Sequence, residues 1–267
     1  MRRLAVTSIL LCLFAGSAFA QSPNPQRLFE MGVNALTGVG PERDEQGALT
    51  YVQRSAQLGY PPAEVMLGYF YDTGTVVAQE PAQAALWYKK AALQDDPLAE
   101  WLLGRLIVAG LVPPRDLNEA ARWLQKAAEH GNPFGEYLLG KVKLERQDYP
   151  AAAEWFRKAA MQGLPQAQEQ LGLLLKQGQG VNLDKFQAFV WLQVSYEAGD
   201  QSAGVSNALV ELGGQLGTTQ EQQAMSKAHE LEQTANRVVT ARGCTGWPGE
   251  LNAMPAPPTP DIQPFCR

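Results

Sequence analysis

Two histidines, His130 and His229, are the strongest candidates for acid–base chemistry or metal binding in this 267-residue chain. His130 precedes Gly131 at the predicted end of a helix, where a cationic ring favours the helix dipole. His229 lies in a polar segment that is predicted to be helical. Neither histidine belongs to a His, Cys and Glu cluster with metal-ligand spacing, so we expect structural roles, no metal and no cofactor.

Three other short motifs also favour a structural interpretation. Ser195 does not lie in the Gly-x-Ser-x-Gly turn that a nucleophile elbow requires. The segment Gly178-Gln179-Gly180 lacks the lysine and the preceding strand of a phosphate-binding loop. Asp95 and Asp96 fall at a predicted turn. We therefore predict no catalytic residue.

The first 20 residues are typical of a secretion signal. Arg2 and Arg3 precede the mostly apolar segment 4–14, and Ala18-Phe19-Ala20 supplies small residues for a signal peptidase. We predict cleavage near Ala20 and a periplasmic or secreted protein. Cys12 has no small residue just before it, so we expect no lipid anchor.

The mature chain is acidic. Loss of Arg2 and Arg3 leaves 20 basic against 27 acidic side chains, a net charge of −7. This balance argues against nucleic acid or an anionic membrane surface as a partner, because both require a basic patch. No second long apolar run is present in the sequence, so we expect no integral membrane segment.

Two cysteines, Cys244 and Cys266, remain in the mature chain, and they predict one disulfide bond because an even number of cysteines is typical of exported proteins. The bond would close a loop of about 22 residues and stabilise the fold by roughly 3 kcal/mol. No Cys-x-x-Cys pair is present in the sequence, which argues against a redox role.

An internal repeat accounts for most of the remaining sequence. A large aromatic residue recurs with separations of 36, 36, 32 and 36, at Tyr51, Trp87, Trp123, Trp155 and Trp191. Glycine recurs in a second register, at Gly32, Gly68, Gly104, Gly140 and Gly172. The fourth repeat is shorter by four residues, which predicts a shortened turn between two helices that keep their phase.

Each register has a physical explanation. Glycine inside a helix costs about 1 kcal/mol, so its recurrence predicts close approach of a neighbouring helix. The aromatic residue should fill space against the next hairpin. Acidic residues suit the start of each second helix, at Asp44, Glu80, Asp116, Asp148 and Asp184. Prolines suit the start of each first helix, at Pro61, Pro97, Pro133 and Pro165.

The segment from Gly178 to Asp184, followed by Ala188 and Trp191, resembles the Sel1-like repeat, a relative of the tetratricopeptide repeat. The resemblance implies an all-α fold, a right-handed α-solenoid of antiparallel helix hairpins. The predicted order is signal peptide 1–20, polar lead-in 21–26, solenoid 27–216, capping helix 217–241, and Pro-rich tail 242–267. Within the solenoid, we expect repeats at about 27–60, 61–96, 97–132, 133–164 and 165–200, followed by a half repeat at 201–216.

The resemblance also implies that first helices line a concave face. Positions three before and one after each glycine should then face the groove. Tyr69, Trp101, Arg105, Tyr137 and Lys141 occupy such positions, and together with Phe134 they would form an aromatic and basic stripe for a peptide. Trp, Tyr and Arg are common anchors of interfaces. The alternative is that these aromatic residues pack between helices.

The function expected from the resemblance is a non-enzymatic adaptor that binds a partner protein or peptide, in an envelope complex or on a signalling receptor. A related possibility is an inhibitor or sensor that masks a receptor's outer domain. The alternative is binding or hydrolysis of β-lactams or peptidoglycan, which some cysteine-rich Sel1-like proteins suggest. The repeats of this chain contain no cysteine pairs, and nitrocefin turnover would separate the two possibilities.

Overall fold

The computed structural model describes residues 24–38 and 44–242, with side chains up to residue 234. Within these residues the chain forms twelve α-helices and no strand. The helices are α1 (Pro25–Thr37), α2 (Glu45–Gln57), α3 (Pro61–Thr73), α4 (Pro81–Ala92), α5 (Pro97–Val108), α6 (Leu117–Glu129), α7 (Pro133–Glu145), α8 (Tyr149–Met161), α9 (Pro165–Gln177), α10 (Lys185–Glu197), α11 (Ala203–Leu216) and α12 (Thr218–Arg242).

The first ten helices form five antiparallel hairpins, α1–α2 to α9–α10, and each hairpin packs on the next. Consecutive pairs therefore build a solenoid, which confirms the predicted all-α class. The first helices form one layer, in which α5 also contacts α7, and the second helices form the other. α12 packs against α10 and α11, burying Ala224 and Ala228 on that side.

The predicted start residues of the helices are confirmed. Pro61, Pro97, Pro133 and Pro165 are the first residues of α3, α5, α7 and α9. The predicted acidic residues are the N-caps of the five second helices, and all except Glu80 accept a backbone N–H with the side chain. These caps satisfy donors that would otherwise lack partners and fix where each second helix begins.

The glycine register marks the closest contact within each hairpin. A Cβ atom added to Gly104 would lie 2.6 Å from Leu124, and one added to Gly140 would lie 2.7 Å from Phe156. Gly32, Gly68 and Gly172 meet Val52, Tyr88 and Leu192 in the same way. The predicted close approach is therefore confirmed in all five hairpins.

The recurring aromatic residue is partly buried and packs against the core at Trp87, Trp123, Trp155 and Trp191. The side chain that meets the glycine is the following one, such as Tyr88 beside Trp87, and it is fully buried. Trp87 itself is only half-buried, and the Lys90 ammonium lies 3.7 Å from its ring centroid. Adjacent helical positions differ by about 100° in direction, so only one of the two can face the partner helix.

Several predicted segments lie outside the described residues. These are the signal peptide 1–20, residues 21–23 of the lead-in, the tail from residue 243, and the pair Cys244 and Cys266. Within the described residues, no helix is long and apolar enough to cross a membrane.

Candidate functional site

The predicted stripe begins on α3 and α5, the first helices of hairpins two and three. Its side chains there are buried, which contradicts the prediction that they face an open groove. Tyr69 on α3 is 2% exposed and Trp101 on α5 is 3% exposed. Phe29 and Val65, which lie three residues before Gly32 and Gly68 and were therefore expected to face the groove, are also buried. Both α3 and α5 are apolar on nearly every side, which is typical of a helix enclosed by its neighbours. The alternative of packing between helices therefore describes Tyr69 and Trp101.

Arg105 also has a structural partner. Its guanidinium pairs with the Asp72 carboxylate of the preceding hairpin, and Tyr88 donates a hydrogen bond to the same carboxylate at 3.2 Å. Burial raises the pKa of Asp72, and the charge of Arg105 opposes that rise. Burial, with Asp72 nearby, raises the pKa of Tyr69 to about 12. This network joins α3, α4 and α5.

The other half of the stripe lies on α7 and is accessible. Phe134 and Tyr137 are half-buried, and Lys141 is exposed. The Phe134 ring lies 5.0 Å from Trp101, and the Lys141 ammonium lies 5.7 Å from the Tyr137 ring centroid. We call Phe134, Tyr137 and Lys141 the α7 surface. Partner binding by this surface remains a prediction.

A row of buried carboxylates, which sequence reasoning missed, runs through the first helices. Glu64, Glu100 and Glu136 each stand four residues before the register glycine, and all are buried. Glu64 accepts a hydrogen bond from Gln94 at 2.8 Å, and Glu136 accepts one from Gln162 at 2.7 Å. The Glu100 carboxylate lies 3.0 Å from the Nδ1 atom of His130. Each of these partners stands near the end of a second helix. The recurrence of Glu at 36-residue spacing was a signal for this row.

The residues considered for chemistry have structural partners. Ser195 is buried and donates to the backbone carbonyl of Pro165 at 2.9 Å. Gly178 ends α9 with φ of 66°, and Gly180 packs so closely against Tyr149 that an added Cβ would lie 2.3 Å from its carbonyl carbon. Asp96 caps α5 through the backbone N–H of Ala99. These contacts confirm the predicted structural interpretation of the three motifs.

One group of side chains has donor atoms that could hold a divalent cation. Glu197 at the end of α10 and His229 and Glu232 on α12 place one ligand atom each within 4.8 Å of one another. His229 and Glu232 share a helix face because they are three residues apart. The sequence did not reveal the group, because Glu197 is 32 residues away from His229 and joins it only through the packing of α12 on α10.

The comparisons agree with the repeat register. The Sel1 repeat family model matches residues 28–60, 61–96, 97–132, 135–164 and 165–200. The crystal structure of a protective antigen from uropathogenic Escherichia coli strains, which displays an SLR fold, is 30% identical with a TM-score of 0.73, over 82% of this chain and 48% of the antigen. This chain therefore spans about half the length of that antigen.

A second solved structure, a Sel1 repeat protein from Oxalobacter formigenes, is 29% identical with a TM-score of 0.62, over 80% of this chain and 91% of that protein. Among curated proteins, a sequence search finds no match. The five family matches cover most of the described residues and follow the same hairpins that the structure shows. The chain belongs to the Sel1 repeat family.

Proposed function

We propose that this protein is an exported, non-enzymatic adaptor that binds a partner protein or peptide through the first-helix layer of its solenoid. Sel1 repeat solenoids are typical of protein interaction scaffolds, and stacked repeats offer extended concave surfaces for binding. The secretion signal predicted at residues 1–20 supports a role in the cell envelope, such as regulation of a complex or a receptor.

The observation that carries this proposal is the contrast within the first-helix layer. Tyr69 and Phe70 on α3 and Trp101 on α5 are enclosed, whereas the α7 surface presents half-buried Phe134 and Tyr137 beside exposed Lys141. Tyr is one of the residue types that most often anchor interfaces. A partner of complementary, acidic character would cover this surface without unfolding the stack.

The experiment uses a photo-cross-linking amino acid at position 141 in the full-length protein, expressed in its native organism. We expect a specific cross-linked partner, identified by mass spectrometry. Lys141→Glu should reduce capture of that partner by about tenfold, because it reverses the charge at the surface.

The matched control is Lys185→Glu, the same change at an exposed position at the start of α10. It should leave capture unchanged. Equal loss in both variants would point to nonspecific charge attraction, and absence of any cross-linked protein at position 141 would contradict the proposal.

A further inference from the structure

A pocket with a volume of about 470 Å³ opens between hairpins four and five, on the side of the second helices. Its walls are α8, α10 and the loop between α9 and α10, and Leu175 of α9 contributes to the lining. Met161 and Leu183 at the pocket are 64% and 58% exposed, and the Trp191 ring is half-buried. Large exposed apolar side chains around one opening are typical of a binding surface.

Arg157 supplies the only basic group among the residues that line this pocket. Among the side chains that the structure describes, at residues 24–38 and 44–234, its exposed guanidinium has no hydrogen-bond or ion-pair partner. The Asp184 carboxylate, also in the lining, is engaged as the N-cap of α10, where it accepts the backbone N–H of Gln187 at 2.9 Å. The pocket therefore combines an apolar lining with an available cation.

The repeat supplies an internal reference for this arrangement. The same positions occur 68 residues earlier between hairpins two and three, where Lys89 and Glu119 correspond to Arg157 and Gln187. There the Lys89 ammonium lies 3.4 Å from the Glu119 carboxylate, so the cation is paired within the protein. Gln187 has an amide in place of that carboxylate, so Arg157 has no partner among the described side chains.

We propose that this pocket binds a peptide segment of a partner protein in which an acidic side chain stands close to an apolar one. The carboxylate of the peptide would pair with the Arg157 guanidinium, as Glu119 pairs with Lys89 in the earlier interface. The apolar side chain of the peptide would enter between Met161, Leu183 and Trp191. Arg pairs with carboxylates through two parallel hydrogen bonds, which makes this contact specific.

A peptide is favoured over other carboxylates because of the two amide side chains at the pocket. Asn182 and Gln187 both line it, and neither side chain has a partner among the described residues. Each amide both donates and accepts, which matches a peptide backbone. The pocket lies in the second-helix layer, so it is distinct from the α7 surface.

The test uses a set of fluorescein-labelled peptides made of Ser and Gly, each with one Leu and one Asp a few residues apart. The number of residues between the Leu and the Asp varies across the set. Each peptide has a control in which Asn replaces the Asp. Fluorescence anisotropy with the full-length protein should show saturable binding for at least one Asp peptide and about tenfold weaker binding for its Asn counterpart. Arg157→Gln and Gln187→Glu should each weaken binding by about tenfold or more, because a charge-assisted hydrogen bond is lost or redirected.

The matched controls are Lys89→Gln and Glu119→Gln in the earlier interface, together with Lys141→Glu on the α7 surface, and all three should bind the peptide normally. Because Lys141→Glu affects the surface of the proposed adaptor function, the two proposals fail separately. Binding that survives Arg157→Gln, or no binding by any Asp peptide, would overturn the assignment.

A photo-cross-linker at position 183 identifies the occupant. Cross-linking to the bound Asp peptide supports a partner segment. Cross-linking instead to the chain's own residues 243–267, or to a second copy of the chain, would show that the pocket is occupied from within the protein and would overturn the proposal.

Discussion

Hairpins two and three differ from hairpins four and five although all four follow the same register. In the earlier pair, α3 and α5 are buried on nearly all sides, Arg105 is paired with Asp72, and Lys89 is paired with Glu119. In the later pair, the α7 surface is accessible and Arg157 has no partner among the described residues.

The difference shows which positions determine the fold and which determine the surface. The glycine contacts, the N-cap carboxylates and the helix-starting prolines recur in both regions, so the backbone stack is maintained. Single substitutions at other repeat positions, such as Gln187 where hairpin three has Glu119, change whether a cation is paired inside the protein. A repeat protein can therefore acquire a binding surface in one hairpin without changing its neighbours.

The largest expected effect compares two aromatic residues at the same register position. Trp101→Ala should lower the free energy of unfolding by roughly 3–5 kcal/mol, because the side chain is enclosed and its removal leaves a cavity. Tyr137→Ala, at a half-buried position, should cost about 1 kcal/mol. Urea unfolding followed by circular dichroism measures both. Equal losses in the two variants would contradict the division of the stripe into enclosed and accessible halves.

The next effect concerns charge pairing. Asp72→Asn should destabilise the fold by about 2–3 kcal/mol, because the largely buried Arg105 guanidinium and the Tyr88 hydroxyl lose their carboxylate. The matched change, Glu145→Gln, breaks the exposed pair with Arg115 and should cost less than about 1 kcal/mol. Thermal unfolding at moderate salt provides the measurement. If Glu145→Gln lowered the free energy of unfolding as much as Asp72→Asn does, burial would not explain a difference in strength between the two ion pairs.

The buried carboxylates Glu64 and Glu100 give hairpins two and three a pH response that hairpin five lacks at this position, where Gln168 stands. Burial raises the pKa of Glu100 above its ordinary value of 4.5, although His130 and Lys126 oppose the rise and Asp95 adds to it. Between 4.5 and the raised pKa the folded state binds more protons than the unfolded state, so this group's contribution to stability falls as pH rises.

We therefore expect Glu100→Gln to flatten the decrease in stability as pH rises from about 4.5 toward neutrality, measured as unfolding free energy at several pH values. The control is Glu154→Gln, the same substitution at an exposed position on α8. An unchanged pH profile in Glu100→Gln would show that this carboxylate is not the source of the response.

Much of the fold was predictable because the decisive residues recur at fixed spacing. Gly104 and Pro97, for example, each have a counterpart in neighbouring hairpins, and their roles follow from local backbone chemistry. The contact of Tyr88 with Gly68 was not predicted, because the adjacent Trp87 carries the recurring aromatic signal. Lys90, three residues after Trp87, is on the same helix face and was a sign that Trp87 lies near solvent.

The candidate sites were harder to predict because they depend on contacts between hairpins. The burial of Trp101 could have been inferred from the apolar character of α5 on all sides. By contrast, Arg157 and Lys89 look equivalent in sequence. Their difference depends on residues 30 positions later, Gln187 and Glu119, which approach them only after the hairpins stack.

The smallest expected effect is on stability at two interfaces, the one between hairpins two and three and the one between hairpins four and five. Gln187→Glu should add an ion pair with Arg157 and raise the unfolding free energy by at most about 0.5 kcal/mol, because exposed pairs contribute little. Glu119→Gln should lower it by a similar amount, since it removes the partner of Lys89. The double variant should return close to the wild-type value, because the sites are distant and independent. Calorimetry at low and high salt measures these changes, and both should shrink at high salt. A stabilisation by Gln187→Glu that persists at high salt would indicate closer packing of the pocket instead of a new ion pair.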